Sequence, residues 1–134
     1  MKPVLDTEKE YGLVLEGGGA KGAYQIGAWK ALKEAGIRIK GIAGTSVGAL
    51  NGALICMGDL EKAESLWENI SYSQIMSVDD KVMEDIFKQK KISRDALKDM
   101  MDYISAGGVD ITPLKELIAE CVDEEKIQNS PMDL

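Results

Sequence analysis

The first candidate for chemistry is a serine framed by two glycines, in the segment Gly44-Thr45-Ser46-Val47-Gly48. Strand-forming residues precede it and helix formers follow it, so the pattern predicts a tight turn between a strand and a helix. Such a turn is strained and has no room for side chains beside the serine, which explains the two glycines. It would expose the Ser46 hydroxyl at a helix N-terminus, where backbone amides stabilise a developing anion. The segment therefore predicts nucleophilic chemistry at Ser46.

The second candidate is a glycine-rich loop after an earlier predicted strand, with the sequence Gly17-Gly18-Gly19-Ala20-Lys21-Gly22. Consecutive glycines leave backbone N–H groups unobstructed, so several can donate to one oxygen of a phosphate or of a tetrahedral intermediate. The carboxyl ends of parallel strands lie at the same edge of a sheet. We therefore expect the loop and Ser46 to face one crevice.

Two nucleotide-binding interpretations of the loop are weak. A dinucleotide fingerprint calls for an acidic residue at the end of the second strand, where this chain has only residues 42–45, Ile-Ala-Gly-Thr. A Walker A loop requires Lys and then Ser or Thr after its last glycine, whereas Gly22 is followed by Ala23 and Tyr24. Phosphate binding at the loop remains an alternative.

Composition narrows the chemistry further. The 134 residues contain no histidine, which excludes Ser-His-Asp and Cys-His catalysis and most zinc sites, and we expect neither a metal nor a cofactor. A net charge of −7 disfavours nucleic acid as a partner. Cys56 and Cys121 are expected to be reduced thiols of a cytoplasmic protein, because no signal peptide is recognisable. Any enzyme built from this chain must use a base other than histidine.

The elements that position these candidates alternate between strand and helix. Apolar runs predict strands over residues 11–15 and 37–43, and helical spacing predicts helices over 23–35 and 49–57. Gly36 and Gly58 are placed to end the two helices in the left-handed conformation. This order predicts parallel strands joined by a right-handed crossover, and therefore an α/β fold.

The remainder of the chain is predicted to be mostly helical. Asp59 is a candidate N-cap for a third helix, and Thr112, with Pro113 after it, for the last helix, which runs to Val122. Between them, residues 71–80 are predicted to be a connection, and amphipathic helices are predicted over 81–91 and 93–105. These two helices would suit a lid over the crevice.

The paired motifs resemble the patatin-like phospholipase family, in its bacterial branch. Residues 16–22, Glu-Gly-Gly-Gly-Ala-Lys-Gly, are similar to the family's oxyanion loop, and residues 44–48 to its G-x-S-x-G segment. Residues 111–114, Ile-Thr-Pro-Leu, resemble a stretch that precedes a helix in bacterial members. The similarity spans nearly the whole chain, in the order and with the separation that the family shows.

This resemblance implies a three-layer α/β/α fold and a lipid acyl hydrolase that works by a Ser-Asp dyad, with Ser46 as the nucleophile. The oxyanion hole would be formed by the backbone amides of the loop at Gly17, Gly18, Gly19, Lys21 and Gly22, chiefly by those of Gly18 and Gly19. Lys21 stands where the family often has Arg, which matters little for main-chain donors. The implied substrate is a phospholipid or another acyl-ester lipid, met at the periphery of a membrane.

The second catalytic residue of the family lies in a D-G-G or D-G-A motif, and this chain has no Asp-Gly pair. We therefore expect residues 11–134 to be the N-terminal part of a single domain that is inactive without the missing aspartate. Residues 1–10, which are mostly polar and charged, are expected to be a leader. Unpaired sheet edges would favour a homo-oligomer or pairing with another chain. The alternative function is a non-catalytic interaction or assembly module.

Overall fold

The computed structural model describes residues 6–75, 77, 80, 81, 84 and 110–134. Backbone contacts divide the chain into two compact units, one made of Met1–Asn69 with Cys121–Leu134 and the other of Ile70–Glu120. The predicted helices over residues 81–91 and 93–105, with their lid role, fall almost entirely outside the described residues.

Strands and helices alternate in the first half of the chain, as predicted. In chain order the elements are β1 (Glu10–Leu15), α1 (Gly22–Glu34), β2 (Arg38–Gly44), α2 (Val47–Met57), α3 (Leu60–Asn69), α4 (Thr112–Cys121) and α5 (Glu124–Gln128). β1 and β2 pair in parallel from Glu10 opposite Arg38 to Leu15 opposite Gly44. The predicted α/β class with parallel strands is confirmed.

Helix α2 is the centre of the first unit. Its residues from Asn51 to Cys56 are all buried, and it contacts both strands as well as α1, α3 and α5. A helix that is apolar on every side needs such surroundings, because no face of it is suited to water. Both cysteines are reduced and buried, and burial raises the pKa of the Cys56 thiol. The two strands and helices α1, α3 and α5 therefore pack around α2.

Two glycines let α2 lie directly on the ends of the strands. A Cβ atom at Gly44 would overlap the Gly48 carbonyl, and a Cβ atom at Gly48 would overlap the Leu15 carbonyl. In both cases the obstacle is backbone, which cannot move aside as a flexible side chain can. The approach of α2 to the sheet therefore requires glycine at both positions.

Several helix ends follow the sequence. Gly36 and Gly58 have φ values of 73° and 75°, the left-handed conformation predicted for them. The Asp59 carboxylate accepts a hydrogen bond from the Lys62 N–H at 3.0 Å, which confirms the predicted N-cap of α3.

The start of α4 differs from the prediction. Thr112 is already helical, and its N–H donates to the Asp110 carboxylate at 2.9 Å, so the prediction of Thr112 as N-cap was wrong. The side-chain acceptor at the start of this helix is instead Asp110, two residues before Thr112. In the same unit the Ser77 hydroxyl donates to Asp110 at 3.0 Å. These hydrogen bonds, chiefly those from Thr112, lower the pKa of the Asp110 carboxyl.

The last residues of the chain carry two features that the sequence reasoning missed. The Asp123 carboxylate accepts from the Lys126 N–H at 3.1 Å and so caps the short helix α5. Beyond it, Asp133 pairs with β2 in parallel, donating its N–H to the Lys40 carbonyl at 2.9 Å and accepting from the Ile42 N–H at 2.7 Å. β2 is thus hydrogen-bonded on both sides.

We predict opposite effects for two Gly→Ala substitutions. Gly48→Ala should lower the free energy of unfolding by about 3 kcal/mol, because the new methyl group collides with the Leu15 carbonyl. Gly27→Ala, at an exposed position in α1 where an added Cβ meets nothing within 4 Å, should raise it by about 0.5 to 1 kcal/mol. Urea unfolding of both variants measures this. Equal effects would contradict the described approach of α2 to the sheet.

Candidate active site

Ser46 has a backbone conformation that a serine rarely adopts. Its φ and ψ are 53° and −125°, and it is the only non-glycine residue with positive φ among those the structure describes. The residue is exposed and precedes α2, and its carbonyl accepts from the Ala49 and Leu50 N–H groups at 2.9 and 3.3 Å. The predicted strained turn is therefore present, and it separates the Ser46 hydroxyl from the core.

The glycine loop leads from β1 into α1 through a short 3-10 turn over Gly19–Lys21. Gly18 and Gly19 have φ values of 154° and 56°, which favour glycine. The Lys21 N–H donates to the Gly18 carbonyl at 3.3 Å, and the N–H of Gly22 also donates within the turn. In the described part of the chain, no backbone hydrogen bond uses the N–H groups of residues 17–19. These amides can therefore serve an added acceptor.

The loop and the turn meet at the same edge of the sheet. A Cβ atom added at Gly17 would lie 3.2 Å from the Ser46 Cβ and 3.5 Å from the Thr45 carbonyl oxygen. The Thr45 N–H donates to the Leu15 carbonyl at 3.2 Å, which fixes the turn against the end of β1. The structure thus brings the two sequence motifs together, as the parallel strand order predicts. Gly22, in contrast, is buried as the first residue of α1.

A buried amide that the sequence reasoning did not select lies behind this edge. The Asn51 side chain, fully buried in α2, donates to the Gly22 carbonyl at 2.9 Å and to the Gln25 side-chain oxygen at 2.8 Å. It accepts from the Trp67 indole N–H at 2.8 Å. Gln25 in turn donates to the Glu16 carbonyl at 2.8 Å. These three side chains, which we call the amide network, join α1, α2 and α3 to the loop.

One signal could have identified the network beforehand. Asn51 interrupts an otherwise apolar helix, where an unpartnered amide costs about 1 to 3 kcal/mol. A polar residue at such a position indicates a hydrogen-bond partner, although the sequence does not say which. Gln25 and Trp67 carry no comparable signal, because each suits an ordinary helix surface.

The arrangement is suited to nucleophilic attack followed by stabilisation of an oxyanion. It combines an exposed hydroxyl at a helix N-terminus with backbone N–H groups of an adjacent loop. Across the described residues, no group of three or more His, Cys, Asp or Glu side chains could hold a metal ion. Nor is any helix in that part of the chain long and apolar enough to span a membrane.

Comparisons with known proteins show which proteins this chain is similar to. The family model described as patatin-like phospholipase matches residues 13–131. Over 46 residues the chain is 63% identical to lysophospholipase nte1 of Aspergillus terreus. The aligned segment covers 34% of this chain and 3% of that protein. Over 50 residues the chain is 58% identical to neuropathy target esterase sws of Drosophila persimilis, covering 37% of this chain and 4% of that protein.

The chain thus spans 3% to 4% of the length of these curated relatives. No solved structure matches it. The family match begins within β1 and continues beyond α5, so it includes both the glycine loop and Ser46. The chain therefore belongs to the patatin-like phospholipase family.

Proposed function

We propose that this chain supplies the nucleophile and the oxyanion loop of a serine hydrolase that cleaves acyl esters of lipids. The observation that carries the proposal is the strained, exposed Ser46 with Gly17 packed beside it. A serine held in this way is costly to the fold, and such strain is concentrated at functional sites. A simple glycine-rich turn would have no need of it.

In the proposed reaction, the Ser46 hydroxyl oxygen attacks the acyl carbonyl carbon while a base takes the hydroxyl proton. The carbonyl oxygen becomes an oxyanion and accepts hydrogen bonds from the N–H groups of Gly18 and Gly19, with that of Gly17 nearby. Collapse of the intermediate breaks the ester bond, and the base returns the proton to the leaving alcohol. Water then hydrolyses the acyl-Ser46 intermediate by the same two steps.

The base is proposed to be an aspartate, as the family resemblance implies. A carboxylate can accept the serine proton and deliver it to the alcohol, so the lack of histidine is no obstacle. The family's aspartate is followed by glycine, and no Asp-Gly pair occurs among the 134 residues. We therefore propose that residues 11–134 contribute one part of a single catalytic domain, and that this part alone has negligible turnover.

The proposed substrates are phospholipids, lysophospholipids or similar acyl esters. Two observations support this choice: the printed names of the relatives, a lysophospholipase and a neuropathy target esterase, and an exposed aromatic side chain beside the loop. Tyr24, two residues after the loop, is 81% exposed. Aromatic rings at such positions suit the boundary between water and lipid. We accordingly propose that the protein is cytoplasmic and acts at the periphery of a membrane.

The first prediction concerns the nucleophile. In the full-length protein, Ser46→Ala should reduce hydrolysis of p-nitrophenyl acyl esters by about 1000-fold or more, because the substitution removes the hydroxyl on which the proposed acyl intermediate forms. The substitution should also abolish labelling by a fluorophosphonate probe. Ser65→Ala, which changes an exposed serine of α3, is the matched control and should leave both readouts unchanged. Undiminished hydrolysis by Ser46→Ala would refute the proposed function.

The second prediction concerns the loop. Gly17→Ala places a methyl group 3.2 Å from the Ser46 Cβ and should lower kcat for ester hydrolysis about tenfold or more. Gly12→Ala, where an added Cβ meets nothing within 4 Å, should leave kcat within about twofold of the parent value. Steady-state kinetics of the two variants make the comparison. Equal kcat values would mean that the loop does not approach the reacting atoms.

A further inference from the structure

We propose that Gln25 is a positioning residue that, together with Asn51, holds both ends of the glycine loop in register with Ser46. Neither side chain approaches the substrate in this proposal. Each acts through the backbone of the loop. The inference rests on the proposed function for its kinetic consequence, but its structural part can be tested without activity.

Two carbonyl groups flank the loop, and each accepts a hydrogen bond from a side-chain amide. The Glu16 carbonyl stands before the first loop glycine and accepts from the Gln25 side-chain N–H at 2.8 Å. The Gly22 carbonyl stands at the other end and accepts from the Asn51 side-chain N–H at 2.9 Å. A loop held at both ends loses most of its conformational freedom, although its middle residues make few contacts.

Asn51 connects these anchors to the nucleophile. Asn51 lies on α2, the helix that begins directly after Ser46, and its other side-chain N–H donates to the Gln25 oxygen at 2.8 Å. The Trp67 indole N–H donates to the Asn51 side-chain oxygen, which fixes the orientation of the amide. The loop and the nucleophile are therefore both positioned by the same helix, α2.

The burial of Asn51 makes this linkage strong. Its exposed fraction is 0%, and in such surroundings a hydrogen bond is stronger than in water while a broken one is costly. No buried side-chain nitrogen or oxygen in the described residues lacks a partner. Loss of the Gln25 side-chain amide therefore leaves the Glu16 carbonyl without this hydrogen bond and releases the start of the loop.

Loss of the hydrogen bonds that anchor the loop should lower kcat and leave KM nearly unchanged. Oxyanion donors must stand within about 0.5 Å of their working positions, and the oxyanion exists only near the transition state. An unanchored loop would still admit the substrate. It would present the N–H groups of Gly18 and Gly19 in a distribution of positions, of which few stabilise the charge.

Gln25→Met tests the proposal because it retains an unbranched chain of similar length and removes both hydrogen-bonding groups. Gln25 is half-buried, so the fold should persist. The matched control is Lys30→Met, which removes another polar link of α1, the Lys30–Glu64 ion pair at 2.7 Å, without touching the loop. We expect kcat of Gln25→Met to fall about 10- to 100-fold with KM within about twofold, and kcat of Lys30→Met to stay within about twofold of the parent value.

A second readout is independent of activity. In the 134-residue chain, the NMR order parameters of the Gly18 and Gly19 amides should drop from about 0.85 to below about 0.6 in Gln25→Met, and should stay high in Lys30→Met. Unchanged loop order parameters in Gln25→Met would overturn the inference. So would unchanged kcat in a protein whose hydrolysis depends on Ser46. If Ser46→Ala is as active as the parent while the loop still loosens, the proposed function fails and the anchoring stands.

Discussion

The backbone turn at Ser46 is the constraint that fixes how β1, β2 and α2 meet. A serine at φ 53° and ψ −125° must be held there by its surroundings, since an unconstrained chain would leave this conformation. On one side Gly44 and Gly48 allow strand and helix to meet with backbone against backbone. On the other side the Thr45 N–H donates a hydrogen bond to the Leu15 carbonyl at the end of β1. The parallel pairing of β1 with β2 then determines that the glycine loop emerges beside the hydroxyl.

The strain at the turn is offset by the burial of α2. From Asn51 to Cys56 this helix is enclosed, and burying a large aliphatic side chain contributes about 1.5 to 3 kcal/mol, against about 1 to 3 kcal/mol for one strained residue. Leu54 and Ile55 are among the most completely buried side chains of the protein. The apolar part of α2 thus provides stability, while its single amide, Asn51, specifies which way the neighbouring helices and the loop are oriented.

Much of this could be predicted from the sequence because the responsible signals are local. Gly36, Gly58 and Asp59 act within one helix turn, and the alternation of strands and helices follows from short patterns. The meeting of the glycine loop with Ser46 was predictable for a similar reason, since both motifs follow parallel strands. Asn51 could not be assigned its partners in this way, because Gln25 and Trp67 are distant in sequence and become neighbours only when three helices pack. The bridge from Asp133 to β2 likewise depends on tertiary placement. The predicted cap of α4 was wrong because the Asp110 carboxylate, and not the Thr112 side chain, is the acceptor at the start of that helix.

Trapping the acyl intermediate and locating it by mass spectrometry would show whether Ser46 is the nucleophile. The full-length protein is mixed with a slowly hydrolysed p-nitrophenyl ester, quenched in acid and digested. We expect the mass of the acyl group to be added to the peptide that contains Ser46, in step with the release of p-nitrophenol. An acyl group on another residue, or rapid turnover without any covalent intermediate, would contradict the account.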